Sequence, residues 1–226
     1  MAKVTKSEQE IRQQNVVEAV SKTDQFFKEN GKLIYGIVIG LLVIALAILA
    51  YNRFVLQPKK VEAVNQLAQA ERWFEAGEYE LALAGDDNSL GLEDIISQYG
   101  SKAGEAAYLY AGIAKLRSGA PEEAISYLKK YNGKDVIMLG KAQACIGDAY
   151  CDLEDYQEAV KWFEKAAKTS DNAFAAGYLI KAGIAAEACG DPAKALSFYK
   201  EVKDKWAGAP EAIEIDKYIT RIETAE

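Results

Sequence analysis

The side chains that could carry catalysis are sparse in this chain. It contains no histidine, so the usual general base and the commonest metal ligand are both missing. Carboxylate pairs occur at Asp86-Asp87 and Glu122-Glu123, but both lie at a turn or at the start of a predicted helix. Neither pair has a nucleophile or oxyanion donor at a recognisable spacing, and no phosphate-loop, serine-hydrolase or zinc-protease motif occurs. We therefore expect a protein that is not an enzyme and that needs no cofactor.

The three cysteines do not form a metal-binding or redox pattern. Cys145, Cys151 and Cys189 show no C-x-x-C spacing. The first two are six residues apart on one predicted helix, so they point to different sides and are not expected to form a disulfide. We expect all three to act as small apolar side chains and to hold no metal. Their odd number favours a reducing compartment.

Small and large side chains recur at a fixed spacing in the second half of the chain. Each of three triplets has internal spacings of 12 and 4, and the triplets follow one another after 35 and 36 residues. The triplets are Gly112, Ala124, Leu128; Gly147, Ala159, Phe163; and Gly183, Ala195, Tyr199. A repeat of this length indicates stacked helix–turn–helix units, none of which can bury its apolar face alone.

A long apolar run precedes these repeats. Residues 33–51 are uncharged and mostly apolar, and Lys32 and Arg53 lie on either side. At 1.5 Å per residue the run is roughly 28 Å long, close to the hydrocarbon thickness of a bilayer. It starts too late and is too long for a cleaved signal peptide. We predict a single transmembrane helix over residues 33–56.

The charges that flank this helix give only a weak indication of orientation. Three cations precede the run within fifteen residues and three follow it, but further cations near the N-terminus favour a cytoplasmic N-terminus. Within the run, Gly36 and Gly40 form a GxxxG pair that permits close helix packing in lipid and a homo-oligomer. The alternative is that glycine is simply common in membrane helices.

The chain is expected to have three parts. Residues 1–32 form a cytoplasmic N-terminal helical segment, with a helix over 7–29 that stops at Asn30-Gly31; residues 33–56 form the transmembrane helix; and residues 57–226 form a repeat domain. The repeats are expected at about 63–100 with an insertion, 105–139, 140–174 and 176–208, followed by a capping helix at 210–224.

The segment 140–173 resembles the tetratricopeptide repeat signature. The resemblance lies in Gly147, Tyr150, Tyr156, Ala159, Phe163 and Ala166. The signature tryptophan is absent, and Tyr108, Gln143 and Leu179 stand in its place. The resemblance implies an all-α fold in which a single N-terminal transmembrane helix is followed by a tetratricopeptide-repeat α-solenoid.

The whole layout is similar to the ancillary subunits of the bacterial SecYEG translocon (YfgM type). That resemblance implies a single-pass protein of the bacterial inner membrane, with a cytoplasmic N-terminus and the repeats in the periplasm. It implies as partners the translocon subunits, a membrane-anchored peptidyl-prolyl isomerase chaperone and client polypeptides. Two alternatives remain open: a structural subunit of another envelope complex, and a cytoplasm-facing adaptor if the topology is reversed. The net charge of −7 argues against nucleic acid as a partner.

The resemblance also implies a protein-binding concave groove. In a tetratricopeptide stack it is lined by positions 2, 5, 9, 12 and 13 of the first helix of each repeat. These offsets give Leu67, Glu71, Phe74 and Glu75; Leu109, Ile113, Leu116 and Arg117; Lys141, Ala144, Asp148, Cys151 and Asp152; and Ile180, Ile184 and Glu187.

The expected groove is mainly apolar with an acidic streak. Positions 5 and 9 carry no cation, so binding of a C-terminal carboxylate is expected to be absent. Such a groove suits an amphipathic helix or an extended, partly basic segment. The alternative is that several of these side chains belong to the core.

Overall fold

The computed structural model of the protein describes residues 8–224. The chain divides into two compact units, Met1–Pro58 and Lys59–Glu226. Each unit is described by itself.

The first unit is one long helix. Helix α1 spans Glu8–Tyr51. The helix stop expected at Asn30-Gly31 is wrong, because both residues lie inside α1 and Gly31 keeps a negative φ. A glycine inside a helix costs only about 1 kcal/mol relative to alanine, which the good helix formers on both sides offset. The expected helix start at Ser7 lies outside the described residues.

The apolar part of α1 is exposed rather than packed. Leu33, Leu42 and Leu49 are each about 60% exposed (64%, 59% and 63%). Among the described residues, one helical stretch near the N-terminus is long and apolar enough to cross a membrane, and none of its most apolar window is buried. An apolar helix without a protein core around it is typical of a membrane span, so the chain contains a candidate single-pass membrane helix.

A short π-helical segment, Asn52–Leu56, follows α1. Pro58 is the second residue of α2 and has no N–H group to donate to the carbonyl of Phe54. The N–H of Gln57 donates instead to the carbonyl of Asn52, five residues earlier. The π-helical turn therefore accommodates the proline without ending the helix.

The second unit consists of consecutive short helices. They are α2 (Gln57–Glu75), α3 (Tyr79–Ala84), α4 (Leu92–Tyr99), α5 (Glu105–Arg117), α6 (Pro121–Leu128), α7 (Val136–Asp152), α8 (Tyr156–Ser170), α9 (Ala173–Ala188), α10 (Pro192–Lys205) and α11 (Ile215–Glu223). Two 3₁₀ turns, Gly100–Ala103 and Pro210–Glu214, lie between them. Residues 8–224 contain no β-strand, so the fold is all-α.

The small and large residues of each triplet are in contact. A methyl group on Gly112 would lie 2.5 Å from Leu128 Cγ, on Gly147 2.6 Å from Phe163 Cε1, and on Gly183 2.3 Å from Tyr199 Cε1. The alanines between them, Ala124, Ala159 and Ala195, are completely buried. The sequence spacing thus corresponds to the close packing of α5 on α6, α7 on α8, and α9 on α10, as expected for helix–turn–helix repeats.

Side-chain caps fix where four of these helices begin. Asp135 accepts hydrogen bonds from the N–H groups of Ile137 and Met138 at the start of α7. Asp155, Asn172 and Asp191 cap α8, α9 and α10 in the same way. Each cap satisfies backbone donors that would otherwise lack a partner, and so sets the register of the helices that carry the groove.

The first repeat is irregular. Its second helix, α3, has only six residues and ends at Gly85, whose φ is +79°. A tight loop leads to α4, which buries Leu92 and Ile95 completely. The insertion of the first repeat is therefore ordered and contributes its own side chains to the core.

Candidate functional site: a groove along the first helices of the repeats

A groove of about 570 Å³ runs across the second unit. It is formed by the first helices of the four repeats, α2, α5, α7 and α9, together with the start of α3. Its lining residues are Phe74, Tyr79, Ile113, Leu116, Arg117, Lys141, Cys145, Asp148, Cys151, Asp152 and Lys181. The groove thus brings together side chains from all four repeats.

Many of the residues expected in the groove lie there. Eight of the expected residues line the groove. They are Phe74, Ile113, Leu116, Arg117, Lys141, Asp148, Cys151 and Asp152. They occupy positions 2, 9, 12 and 13 of the first helices. Most of these side chains are at least partly exposed on the open side of the stack, whereas Ile113 is 8% exposed and belongs mainly to the core.

The side chains at the fifth position lie in the core. Leu67 and Leu109 are 6% exposed, and Ile180 is 9% exposed. Each belongs to an apolar cluster formed with neighbouring helices. The fifth position faces the adjacent helix rather than the open groove, and these three residues therefore do not form part of the site.

Five other expected residues lie outside the groove lining: Ala144, which is 4% exposed, the exposed Glu75, and Glu71, Ile184 and Glu187. Glu71 is half-buried on α2, and burial, followed by the nearby carboxylate of Glu75, raises its pKa. Ile184 on α9 is 47% exposed. Glu187 accepts hydrogen bonds from Tyr199 Oη and from Arg221 Nη2, both at 2.6 Å. Burial and the Glu187 carboxylate raise the pKa of Tyr199, so the phenol remains the donor.

An aromatic cluster forms the wall of the groove at the first repeat. The ring centroid of Phe74 lies 5.6 Å from that of Tyr79 and 4.9 Å from that of Tyr110. Edge-to-face and tilted arrangements of this kind are the favourable ones for aromatic rings. They hold Phe74 against the groove as a fixed apolar surface.

An ion pair crosses the middle of the groove. Lys181 Nζ on α9 donates to both carboxylate oxygens of Asp148 on α7, at 2.7 and 2.9 Å. Two of the four carboxylates in the expected acidic streak are therefore neutralised, because Asp148 is paired with Lys181 and Glu187 with Arg221, whereas Glu71 and Asp152 have no such ion pair among the described residues. Both pairs join elements that are distant in sequence, which a pattern within a single helix cannot reveal.

Sequence reasoning missed three of the lining residues: Tyr79, Cys145 and Lys181. Cys145 and Lys181 both occupy the sixth position of their first helices. Adding the sixth position of each first helix to the groove pattern would therefore have identified both residues. Tyr79 comes from the start of α3, beyond the first helices to which that pattern applies.

The two cysteines of the groove are poorly suited to nucleophilic chemistry. Burial, followed by the carboxylate of Asp148, raises the pKa of Cys145 and of Cys151 to about 11. The reactive thiolate is therefore scarce at neutral pH. Across residues 8–224 no three histidine, cysteine or carboxylate side chains are grouped as a metal site would require.

In the first unit, Gly36 and Gly40 lie on an open part of α1. A methyl group on either glycine would meet nothing within 4 Å in the part of the chain that the structure describes. The face is therefore accessible, and close packing against another helix stays a prediction.

The helix pairs, the glycine contacts and the groove point to one kind of repeat, and a comparison with protein families names it. A family model of the tetratricopeptide repeat matches residues 146–173. The match covers the end of α7, the following turn and all of α8, and includes Gly147 and Phe163. Comparison of the chain with curated proteins and with solved structures gives no match. Tetratricopeptide repeats in general are protein-binding scaffolds, so protein partners are implied for this chain.

Proposed function

We propose that this protein is a membrane-anchored tetratricopeptide scaffold whose groove binds a segment of a partner protein at the cell envelope. The observation that carries the proposal is the groove itself. It combines apolar side chains at Phe74, Ile113 and Leu116 with charged side chains from three different helices. Apolar contacts supply affinity for a polypeptide, and the placed charges supply register and selectivity.

The proposed partners are the Sec translocon and the chaperones that work beside it. Support comes from the layout, in which one candidate membrane helix near the N-terminus precedes a tetratricopeptide domain. In this proposal the protein lies in the bacterial inner membrane, its N-terminus is cytoplasmic and its repeats are periplasmic. It assists the biogenesis of secreted or membrane proteins by holding translocon subunits, a membrane-anchored peptidyl-prolyl isomerase chaperone or client polypeptides. A structural subunit of another envelope complex would have the same layout.

Cross-linking from the groove tests the proposal. A photoreactive benzoylphenylalanine replaces Arg117 in the full-length protein in its own membrane, and a matched variant carries it at exposed Lys165 on α8. We expect covalent adducts with translocon subunits or envelope chaperones from Arg117 and few from Lys165. Equal adducts from both positions, or none from Arg117, would contradict groove binding. Adducts with another defined envelope assembly would favour the structural alternative.

A second candidate function rests on the cysteines. All three are free, as is typical of a reducing compartment, which favours repeats that face the cytoplasm and act as an adaptor. A membrane-impermeant thiol reagent applied to intact spheroplasts distinguishes periplasmic repeats from cytoplasmic ones. The tested variant carries Gln157→Cys on the exposed surface of α8, with the native cysteines replaced by alanine. Labelling of intact spheroplasts supports periplasmic repeats, and labelling only after lysis supports the adaptor.

A further inference from the structure

We propose that the groove selects an acidic, apolar polypeptide segment, in which a carboxylate side chain bound by Arg117 and Lys141 lies next to bulky apolar side chains. This inference rests on the proposed function, since it names the chemistry of the segment that the groove takes. The sequence alone predicts a partly basic partner segment, so the charge proposed here has the opposite sign.

The first step is the charge that remains unpaired in the groove. Three cations and two carboxylates line it, a local balance of +1 in a chain whose net charge is −7. Lys181 and Asp148 neutralise each other's charge in an ion pair. In the described part of the chain, neither Arg117 nor Lys141 has a carboxylate within ion-pair distance, and Asp152 has no cationic partner. Two free cations therefore face one free carboxylate.

The second step is that the two unpaired cations, Arg117 and Lys141, line the same groove. Cys145 lines this groove as well. Burial and Asp148 raise the pKa of the Cys145 thiol, and Lys181, Lys141 and Arg117 oppose that rise. Arg117 comes from the last turn of α5 and Lys141 from the second turn of α7. In this proposal the carboxylate of the bound segment receives charge-assisted hydrogen bonds from cations of two helices.

The third step is the apolar surface beside these cations. Ile113 and Arg117 are four residues apart on α5 and share one face, and Leu116 is the immediate neighbour of Arg117. Ile113 is 8% exposed and supplies only a small patch of the surface, so an apolar side chain of the bound segment packs mainly on the partly exposed Leu116 while the adjacent carboxylate reaches Arg117. The arrangement differs from recognition of a C-terminal carboxylate, since the cations occupy positions 13 and 2 rather than 5 and 9.

Two carboxylates beside the α2 end of the groove, both outside its lining, oppose negative charge there. Glu71 and Glu75 on α2 lie near Tyr110, whose pKa they raise together with burial. A carboxylate of the bound segment is therefore repelled at α2 and attracted between α5 and α7. The bound segment is expected to place its acidic residue on the α7 side and its apolar residues toward Phe74.

A pair of designed peptides tests the proposal on the full-length protein in nanodiscs of zwitterionic lipid. Both are fluorescein-labelled and amidated, and have the same leucine and phenylalanine pattern; one carries three glutamates and the other three lysines at the same places. Amidation removes the terminal carboxylate. We expect fluorescence anisotropy to show about tenfold tighter binding of the glutamate peptide at low salt, and a smaller difference at high salt. Non-specific attraction to a chain of net charge −7 would favour the lysine peptide instead.

Two double variants of equal charge change locate the effect. Arg117→Glu with Lys141→Glu should abolish or reverse the preference for the glutamate peptide. Lys130→Glu with Lys165→Glu changes exposed lysines outside the groove by the same charge and should leave the preference unchanged. Circular dichroism checks that both variants remain folded.

Every other outcome overturns the proposal. Equal affinities, tighter binding of the lysine peptide, binding of neither peptide, or equal loss in both double variants would each do so. The proposed function is judged separately by the adducts formed from position 117. Tighter binding of the lysine peptide together with such adducts would leave the groove as a docking site with the opposite selectivity.

Discussion

The helix pair α7/α8 and the first repeat, α2 with α3, bring their helices together by different means. In α7/α8 a glycine faces a ring: Gly147 lies against Phe163, which is 1% exposed. In the first repeat the corresponding first-helix position holds Ala70, and α3 is only six residues long. Here closure depends on a loop between Gly85 and Gly91, whose backbones touch, and on the extra helix α4.

The difference explains why the contact between a glycine and a large side chain recurs along the chain, whereas the loop of the first repeat does not. A contact between a glycine and a large side chain needs two residues at a fixed separation, so it can be copied from repeat to repeat. A contact between two backbones needs a particular loop conformation, including the positive φ of Gly85. It therefore belongs to a single insertion.

Removal of the ring should have the largest effect. Phe163→Ala leaves a cavity between α7, α8 and the apolar cluster that continues into α9. We expect a loss of about 3–5 kcal/mol in the free energy of unfolding. Urea unfolding of the detergent-solubilised full chain, followed by circular dichroism, measures it. Phe174→Ala is the control, because Phe174 is 51% exposed and its loss should cost under about 0.5 kcal/mol. Equal effects would show that the ring does not close the repeat.

The loop of the first repeat should be next in sensitivity. A methyl group on Gly85 would lie 2.4 Å from both Gly91 N and Ser89 O, and backbone atoms cannot rotate away. We expect Gly85→Ala to cost about 2–4 kcal/mol by the same urea measurement, from strain at positive φ plus the clash.

Gly77→Ala is the matched control for this substitution. Gly77 has the same φ of +79°, but a methyl group there meets nothing within 4 Å in the described structure. It should carry only the strain, about 1 kcal/mol. If both variants lose the same stability, contact between the loop backbones contributes nothing.

A methyl group at the regular contact should have a smaller effect. Gly147→Ala would push against Phe163, whose side chain can shift, and it gains helix propensity. We expect a net loss of about 1–2 kcal/mol in the same assay. Adding Phe163→Leu should recover part of the loss contributed by the clash, which a double-mutant cycle measures. Additive losses would mean that the two side chains do not meet.

The sequence predicts the parts of the molecule that rest on short-range repetition. Gly112, Gly147 and Gly183, with their partners 16 residues later, identify the helix pairs because each contact lies within one repeat. The loop at Gly85 and Gly91 has no repeat to reveal it. In the groove, Leu67, Leu109 and Ile180 fit the general pattern, but a shift of one position decides between core and open surface.

The charges of the groove show the same limit. Asp148 is visible as an acidic residue in α7, but its partner Lys181 lies on the next repeat, 33 residues away. Which carboxylates stay unpaired is decided by packing between repeats. The repeat pattern in the sequence therefore predicts where the groove lies. The unpaired charges that set its proposed selectivity are known only from the structure.

The smallest expected effect concerns the ion pairs that join the insertion to the regular repeats. Lys115 on α5 contacts Glu93 on α4 at 2.6 Å and Glu123 on α6 at 2.8 Å. These hydrogen bonds to Glu123 and Glu93 raise the pKa of Lys115 to about 12. Since the folded pKa lies above the ordinary value of 10.5, the stabilisation is fully present below about pH 10.5 and is lost as the pH rises through about 12.

Lys115→Met isolates this contribution. It keeps the aliphatic stem and removes the charge, and we expect it to lower the free energy of unfolding by about 1 kcal/mol at pH 8, because both carboxylates stay partly hydrated. The difference from the unchanged protein should shrink between pH 10.5 and 12, as the lysine of the unchanged protein loses its proton. Lys200→Met, which removes an exposed pair with Glu223, is the control and should cost less at pH 8. A difference that stays constant to pH 12 would assign the effect of Lys115 to packing of its stem, and the insertion would then be joined to the repeats by apolar contacts alone.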